Sequence, residues 1–158
     1  MPAQPIPADP VDQIMDVMAR AFDPAFGEAW NRRQVSDALL LGNCRYGIVG
    51  FDGAPCAAGT EPAGFFLSRT AFDEEELLLI AVDPRFRRKG LGAALLAQFM
   101  EEAAARGSRS LFLEMRSNNP AAALYEAHGF RPVGKRPSYY RLADGGKLDA
   151  ISYRRDVD

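Results

Sequence analysis

Arg87-Arg88-Lys89-Gly90-Leu91-Gly92 joins an apolar run to an amphipathic one and has the make-up of an anion cradle. Two glycines let successive backbone amides turn toward one point, and the helix that continues through Ala93 adds the partial positive charge of its N-terminus. The three basic side chains complete a site suited to a pyrophosphate. Two other phosphate signatures fail here: no Gly-Lys-Ser/Thr follows for a P-loop nucleotide, and Leu95 occupies the last glycine position of the dinucleotide fingerprint. An isolated hexapeptide of this kind usually does no more than shape a helix start beside a solvated basic rim, so its setting decides.

Other reactive side chains are few. The only histidine, His128, precedes Gly129, where a ring suits the C-terminal end of a helix dipole, and no catalytic role is assigned to it. One histidine and two separated cysteines, Cys44 and Cys56, leave a zinc site little to work with, so no metal is expected. With no secretory segment ahead of them, both cysteines are expected reduced, in a cytoplasmic protein. A formal net charge of −2 gives no electrostatic reason to seek nucleic acid or an acidic membrane. The longest apolar run, Leu77 to Val82, falls far short of the roughly 20 residues of a spanning helix.

The elements that must position the cradle follow from period and punctuation. At 158 residues, 47% hydrophobic and 25% charged, the chain suits one globular domain. Residues 1–8, rich in Pro and Ala and without a period, are expected to form a flexible tail, and 9–158 the domain. Asp9-Pro10 starts a helix that ends near Phe22, and Asn31 with Gln34 caps a shorter one ending before Gly42. From Tyr46 the period is two: a hairpin of Tyr46 to Phe51 and Ala54 to Ala58, then strands Gly64 to Phe72 and Glu76 to Val82, the last buried on both faces. The acidic turn Asp73 to Glu76 between them reads as solvated. An amphipathic helix from Gly90 to Arg106, a strand from Ser110 to Met115, a helix from Asn119-Pro120 to His128 and strands Phe130 to Gly134 and Leu148 to Arg155 complete the order. This is α/β: one mixed, mostly antiparallel sheet with helices on both faces.

In that setting the chain resembles the GNAT acetyltransferases, whose pyrophosphate loop follows Gln/Arg-x-x-Gly-x-Gly/Ala after a central strand; Arg87, Gly90 and Gly92 match it. The resemblance runs from about Val11 to Val157 and tightens at Ile80-Ala81-Val82-Asp83-Pro84, Leu113-Glu114-Met115-Arg116 and Ala123-Leu124-Tyr125-Glu126-Ala127-His128-Gly129-Phe130. Within the family the chain is most similar to the ribosomal-protein alanine N-acetyltransferases, through Glu114 and the pair Tyr139-Tyr140. The resemblance implies acetyl-coenzyme A as cosubstrate, held by Ile80, Ala81, Val82 and the loop from Arg87 to Ala93, in a cleft where the Ile80 strand splays from its neighbour. It also implies a cofactor contact from Asn119 or Asn118: counting forward from Glu114 selects Asn119, counting back from Tyr125 selects Asn118.

Amine acetylation needs a base for the ammonium, a donor for the oxyanion of a tetrahedral intermediate and an acid for the departing thiolate. An α-amino group of pKa about 7.7–8.0 asks less of a carboxylate than a lysine of about 10.4, and Glu114 is the candidate base. Its alternative is a structural pair with Arg116 or Arg109. Tyr125 falls in the Leu-Tyr-x-x-x-Gly-Phe segment to which the resemblance assigns protonation of the thiolate, and a phenol of about 10 is matched to a thiol of about 8.5, so it is the candidate acid; its alternative is to anchor a short helix. Tyr139 and Tyr140 could wall a peptide cleft or be ordinary strand aromatics. Three functions remain open: acetylation of a protein N-terminus such as a ribosomal alanine, acetylation of a small amine, or non-catalytic acyl-coenzyme A binding.

Overall fold

The computed structural model describes residues 9–57 and 59–157. The expected tail, 1–8, and Ala58 lie outside the described residues. Asp9 caps the first helix, its Oδ1 accepting from the Val11 amide at 2.8 Å with Pro10 at N1, and α1 spans Pro10–Ala21. A 3₁₀ turn at Pro24–Phe26 leads to α2, Arg32–Leu40. Its capping box closes in both directions: Asn31 Oδ1 accepts from the Gln34 amide at 2.9 Å, and Gln34 Oε1 from the Asn31 amide at 2.8 Å.

Six strands follow: β1 Cys44–Val49, β2 Gly64–Ala71, β3 Glu74–Val82, β4 Ser110–Arg116, β5 Arg131–Arg141 and β6 Lys147–Asp156. They form one sheet in the order β1-β2-β3-β4-β6-β5, with only β3 and β4 parallel. Helix α3, Leu91–Ala105, lies between β3 and β4 in the chain, and α4, Ala122–Ala127, between β4 and β5. The period of two along β2 divides the core. Phe66 enters a cluster under α3 with Leu95, Leu96 and Phe99, whereas Phe65 and Leu67 enter one under α1 and α2 with Ile14, Val17 and Val35. Burial of each such side chain contributes about 1.5–3 kcal/mol, so helices are held on both faces. Gly64 has to be glycine, because a Cβ there would stand 2.9 Å from both the Ala81 carbonyl and Leu95 Cδ1.

One irregularity shapes the site. Leu67 pairs with Leu79 but Ser68 pairs with Leu77, so Leu78 is an extra residue on β3. A bulge bends its strand, and pairing of β3 with β4 stops at this point, at Leu77–Leu113. β3 stays with β2 to Val82 and β4 stays with β6 to Arg116, so the two central strands splay.

Several expectations change. The second hairpin strand, 54–57 as described, is reduced to a single bridge between Val49 and Pro55, because proline has no amide to continue a ladder. β5 runs on to Arg141 through two register shifts, which brings Tyr139 and Tyr140 into the sheet. The fourth helix is shorter than expected, with Asn119 Oδ1 accepting from the Ala121 amide at 2.9 Å ahead of it. The acidic turn is not simply solvated: Glu75 is fully buried, gripped by Arg106 at 2.6 and 2.8 Å and by Ser108 Oγ at 3.2 Å. Among the described residues, no helix is long and apolar enough to cross a membrane.

Candidate active site

The splay opens a cleft of about 440 Å³. One wall is Ile80, Ala81 and Val82 of β3, followed by Arg87, Arg88, Gly90, Leu91 and Gly92; the other is Arg116, Asn119, Leu124 and Tyr125. Phe22, Asp23 and Glu28, from the segment between α1 and α2, close the end.

The cradle is held by a buried acid. Asp83, which has no exposed surface, accepts from the Arg85 amide at 2.9 Å, Arg85 Nη2 at 2.8 Å and Arg20 Nη1 at 3.3 Å. Burial alone would raise its pKa, but the Arg85 hydrogen bonds and charge outweigh it and hold the carboxyl below the usual range. Arg88 and Gly90 both take left-handed φ, +64° and +75°, which curls the loop into the helix. Gly90 supplies no side-chain cap, and the first helical bond runs from the Ala94 amide to the Gly90 carbonyl at 3.0 Å. The amides of Leu91, Gly92 and Ala93 therefore have no intrahelical acceptor, which is the donor set an anion needs.

The basic side chains divide. Arg87 Nη2 donates to the Ala21 carbonyl at 3.0 Å, fastening the loop to the end of α1. Lys89 and Ala93 do not line the cleft; Lys89 Nζ sits 6.0 Å from the Phe86 ring centroid. The structure brings Asn119 to the cleft, whereas Asn118 Oδ1 turns aside to accept from Arg116 Nη1 at 2.7 Å.

Tyr125 stands at the inner end, its ring edge-on to Phe130 at 6.1 Å and tilted against Tyr153 at 6.4 Å. Burial first, and then the charge of Glu28, pushes its phenol well above the ordinary value of 10. Tyr125 also lines a small hollow between β3 and β4, together with Glu114, Glu28 and Asn119. Glu114 Oε2 accepts from Ser152 Oγ at 3.2 Å and lies 3.3 Å from Arg136 Nε. The alternative partners Arg116 and Arg109 are thus replaced by Arg136. The reason is the register: Glu114 faces Ser152 and Ser152 faces Gly134, while Arg116 and Arg136 flank Ala150, so only small residues separate Arg136 from β4. Arg116 turns the other way, to Glu28 Oε1 at 2.9 Å and onto the Phe26 ring at 3.8 Å.

Tyr140 is half-buried beside this group. Burial, then Glu114 and Glu28, pushes its phenol up to about 12. Tyr139 stands perpendicular to it at 5.3 Å, more exposed, with the Arg136 guanidinium 5.2 Å from its ring. Sequence reasoning missed Glu28, Phe26 and Arg136. Glu28 lies in an aperiodic stretch, and its partner is 88 positions away, so no local signal marks it.

Comparison with known proteins matches this arrangement. The sequence model of the Acetyltransferase (GNAT) family covers residues 11–130. The [Ribosomal protein bS18]-alanine N-acetyltransferase of Escherichia coli K12 is 46% identical over 90 residues, which are 56% of this chain and 60% of that protein. The chain therefore spans about 60% of the length of such curated relatives. The crystal structure of the ribosomal-protein-S18-alanine N-acetyltransferase from Escherichia coli superposes with a TM-score of 0.80 at 29% identity, covering 98% of this chain and 92% of that one. Arabidopsis thaliana NAA60 in complex with a bisubstrate analogue shares the fold, with a TM-score of 0.75 at 17% identity over 98% and 97% of the two chains. With its splayed strands and uncapped amide cradle lying inside a match that spans well over half its length, the chain belongs to the Acetyltransferase (GNAT) family.

Proposed function

We propose that this chain transfers an acetyl group from acetyl-coenzyme A to the α-amino group of a protein N-terminus, with an alanine of a ribosomal protein as the finer reading. One observation carries the proposal: the gap that opens beyond Leu77–Leu113 leads from unbonded amides at the start of α3 to a buried phenol and a carboxylate. The name of the Escherichia coli relatives supports the finer reading.

The residues fit a coenzyme A thioester. The amides of Leu91 and Gly92 suit its diphosphate, and the free edge of Ile80 to Val82 can pair with the amides of an extended arm. When bound, the thioester supplies an activated acyl group. The chain's own residues then divide the work. Glu114 takes the proton of the incoming ammonium, directly or through water, with Ser152 and Arg136 orienting the carboxylate through Oε2. A backbone amide of β3 donates to the oxyanion. Tyr125, kept protonated by burial, gives its proton to the thiolate. Tyr139 and Tyr140 wall the approach of the acceptor chain.

The test is a thiol-release assay with peptide, lysine and small-amine panels, with mass spectrometry to locate the acetyl group. The expected adduct is on the N-terminal nitrogen, and Tyr125→Phe and Glu114→Gln each lower kcat by about 10²–10⁴-fold. A folded chain with no affinity for coenzyme A or its thioesters overturns the proposal.

A further inference from the structure

The acceptor end carries two carboxylates, and each is matched by an arginine from a different element. Glu28 pairs with Arg116, both largely buried. Glu114, 16% exposed, pairs with Arg136, whose side chain is 60% exposed and so lies on the solvent side of the acid. On the opposite face of β5 and β6, Lys135 and Asp149 form a further matched pair at 3.1 Å. Asp23, further along the cleft, has its Oδ1 engaged by the Ala25 amide at 2.9 Å.

The position of Arg136 is built by its surroundings. Gly134, Ala150 and Ser152 leave an open path across the sheet between it and Glu114. Beyond Arg136 the register of β5 breaks, Ser138 takes φ +54°, and its amide donates to Asp149 Oδ1 at 2.8 Å, which fastens the irregular stretch. That stretch turns Tyr139 so that its ring lies 5.2 Å from the Arg136 guanidinium. The cation is thus held between a carboxylate and an aromatic ring.

A bare carboxylate at the entrance would attract amines in proportion to their charge, and a polyamine would gain most. With Arg136 in place Glu114 is charge-matched, and a second or third ammonium meets a fixed positive charge. The α-amine of a peptide without basic side chains loses least, because it brings a single charge and, at a pKa of about 7.7–8.0, is partly neutral near pH 7.5. We propose that Arg136 is a specificity-determining residue which, by neutralising Glu114 at the entrance, disfavours polycationic amines and leaves a peptide α-amine as the preferred acceptor. This rests on the acetyltransferase reading above and names the acceptor class for the same site.

The experiment compares wild type, Arg136→Gln and Arg136→Lys, using an alanine-terminated peptide without basic residues and spermidine. Spermidine is run both as an acceptor and as a competitive inhibitor of peptide acetylation, so selectivity is read even without spermidine turnover. Arg136→Gln is expected to lower the peptide-to-spermidine ratio of kcat/KM, or to tighten spermidine inhibition, by about tenfold at low salt. Arg136→Lys should restore most of the selectivity, and about 0.5 M salt should erase most of the difference. A ratio within twofold of wild type in Arg136→Gln, an Arg136→Lys variant that matches Arg136→Gln, or a change that ignores salt overturns the assignment while leaving the acetyltransferase reading intact. Wild type that acetylates no amine at all overturns both.

Discussion

The two ends of the cleft are made differently. The proposed cofactor wall is one continuous stretch of chain, from Ile80 through Gly92, and what it presents is mostly backbone: a free strand edge and the unbonded amides of Leu91 and Gly92. The proposed acceptor wall is collected from Phe22, Glu28, Glu114, Arg116, Arg136 and Tyr140, on three separate segments, and four of these side chains are locked in ion pairs. A backbone site tolerates many side chains provided the chain can take its path, whereas a side-chain site fails when one partner goes.

That difference makes Arg116→Ala the most damaging change. It leaves Glu28 enclosed without a counter-charge and removes the cation from the Phe26 ring, at an expected cost of about 2–4 kcal/mol in stability. Urea unfolding reads the loss, and the peptide KM should rise at least about tenfold while coenzyme A affinity moves much less. Equal losses at both ends would erase the distinction between them.

Gly90→Val probes the other end. A Cβ at Gly90 would meet nothing within 4 Å, so only the left-handed φ of +75° is at stake. That conformation costs an L-residue about 1–2 kcal/mol, so the free loop of the variant relaxes out of the cradle geometry and coenzyme A has to restore it, with roughly tenfold weaker binding expected by calorimetry. The peptide KM at saturating acetyl-coenzyme A should not change.

The smallest effect comes from pH. Tyr125 and Tyr140 hold their protons in the fold above the ordinary value of 10, Tyr140 up to about 12. Their contribution to stability is complete below about pH 10 and is lost as pH rises toward the folded values, because the unfolded chain gives up these protons first. The urea midpoint should therefore be flat from pH 8 to 9 and fall beyond about 10. Tyr140→Phe should make that fall shallower, reporting on the acceptor end alone.

Much of this was legible in the residues themselves. Asp9-Pro10 and Asn31 with Gln34 mark helix starts by local hydrogen bonds, and the cradle is recognisable because glycines, arginines and a helix start are neighbours in sequence. Glu114 and Tyr125 were found through a resemblance, and the fold brings both to one hollow. The bulge at Leu78 left no mark, since a single added residue in a run of leucines keeps its composition. Nearness in sequence offers only Arg116 or Arg109 as alternative partners of Glu114, while Arg136 arrives through two strand pairings.

By itself the chain's composition and period determined an α/β domain with an anion-binding loop between an apolar strand and an amphipathic helix, because those features depend on contacts a few residues long. Only the tertiary structure decided where β3 leaves β4, which carboxylate meets which arginine, and how Glu28 comes to face Tyr125 and Tyr140. Those outcomes depend on strand register and on loop packing between distant segments, where one residue of slip sends a side chain to the opposite face of the sheet.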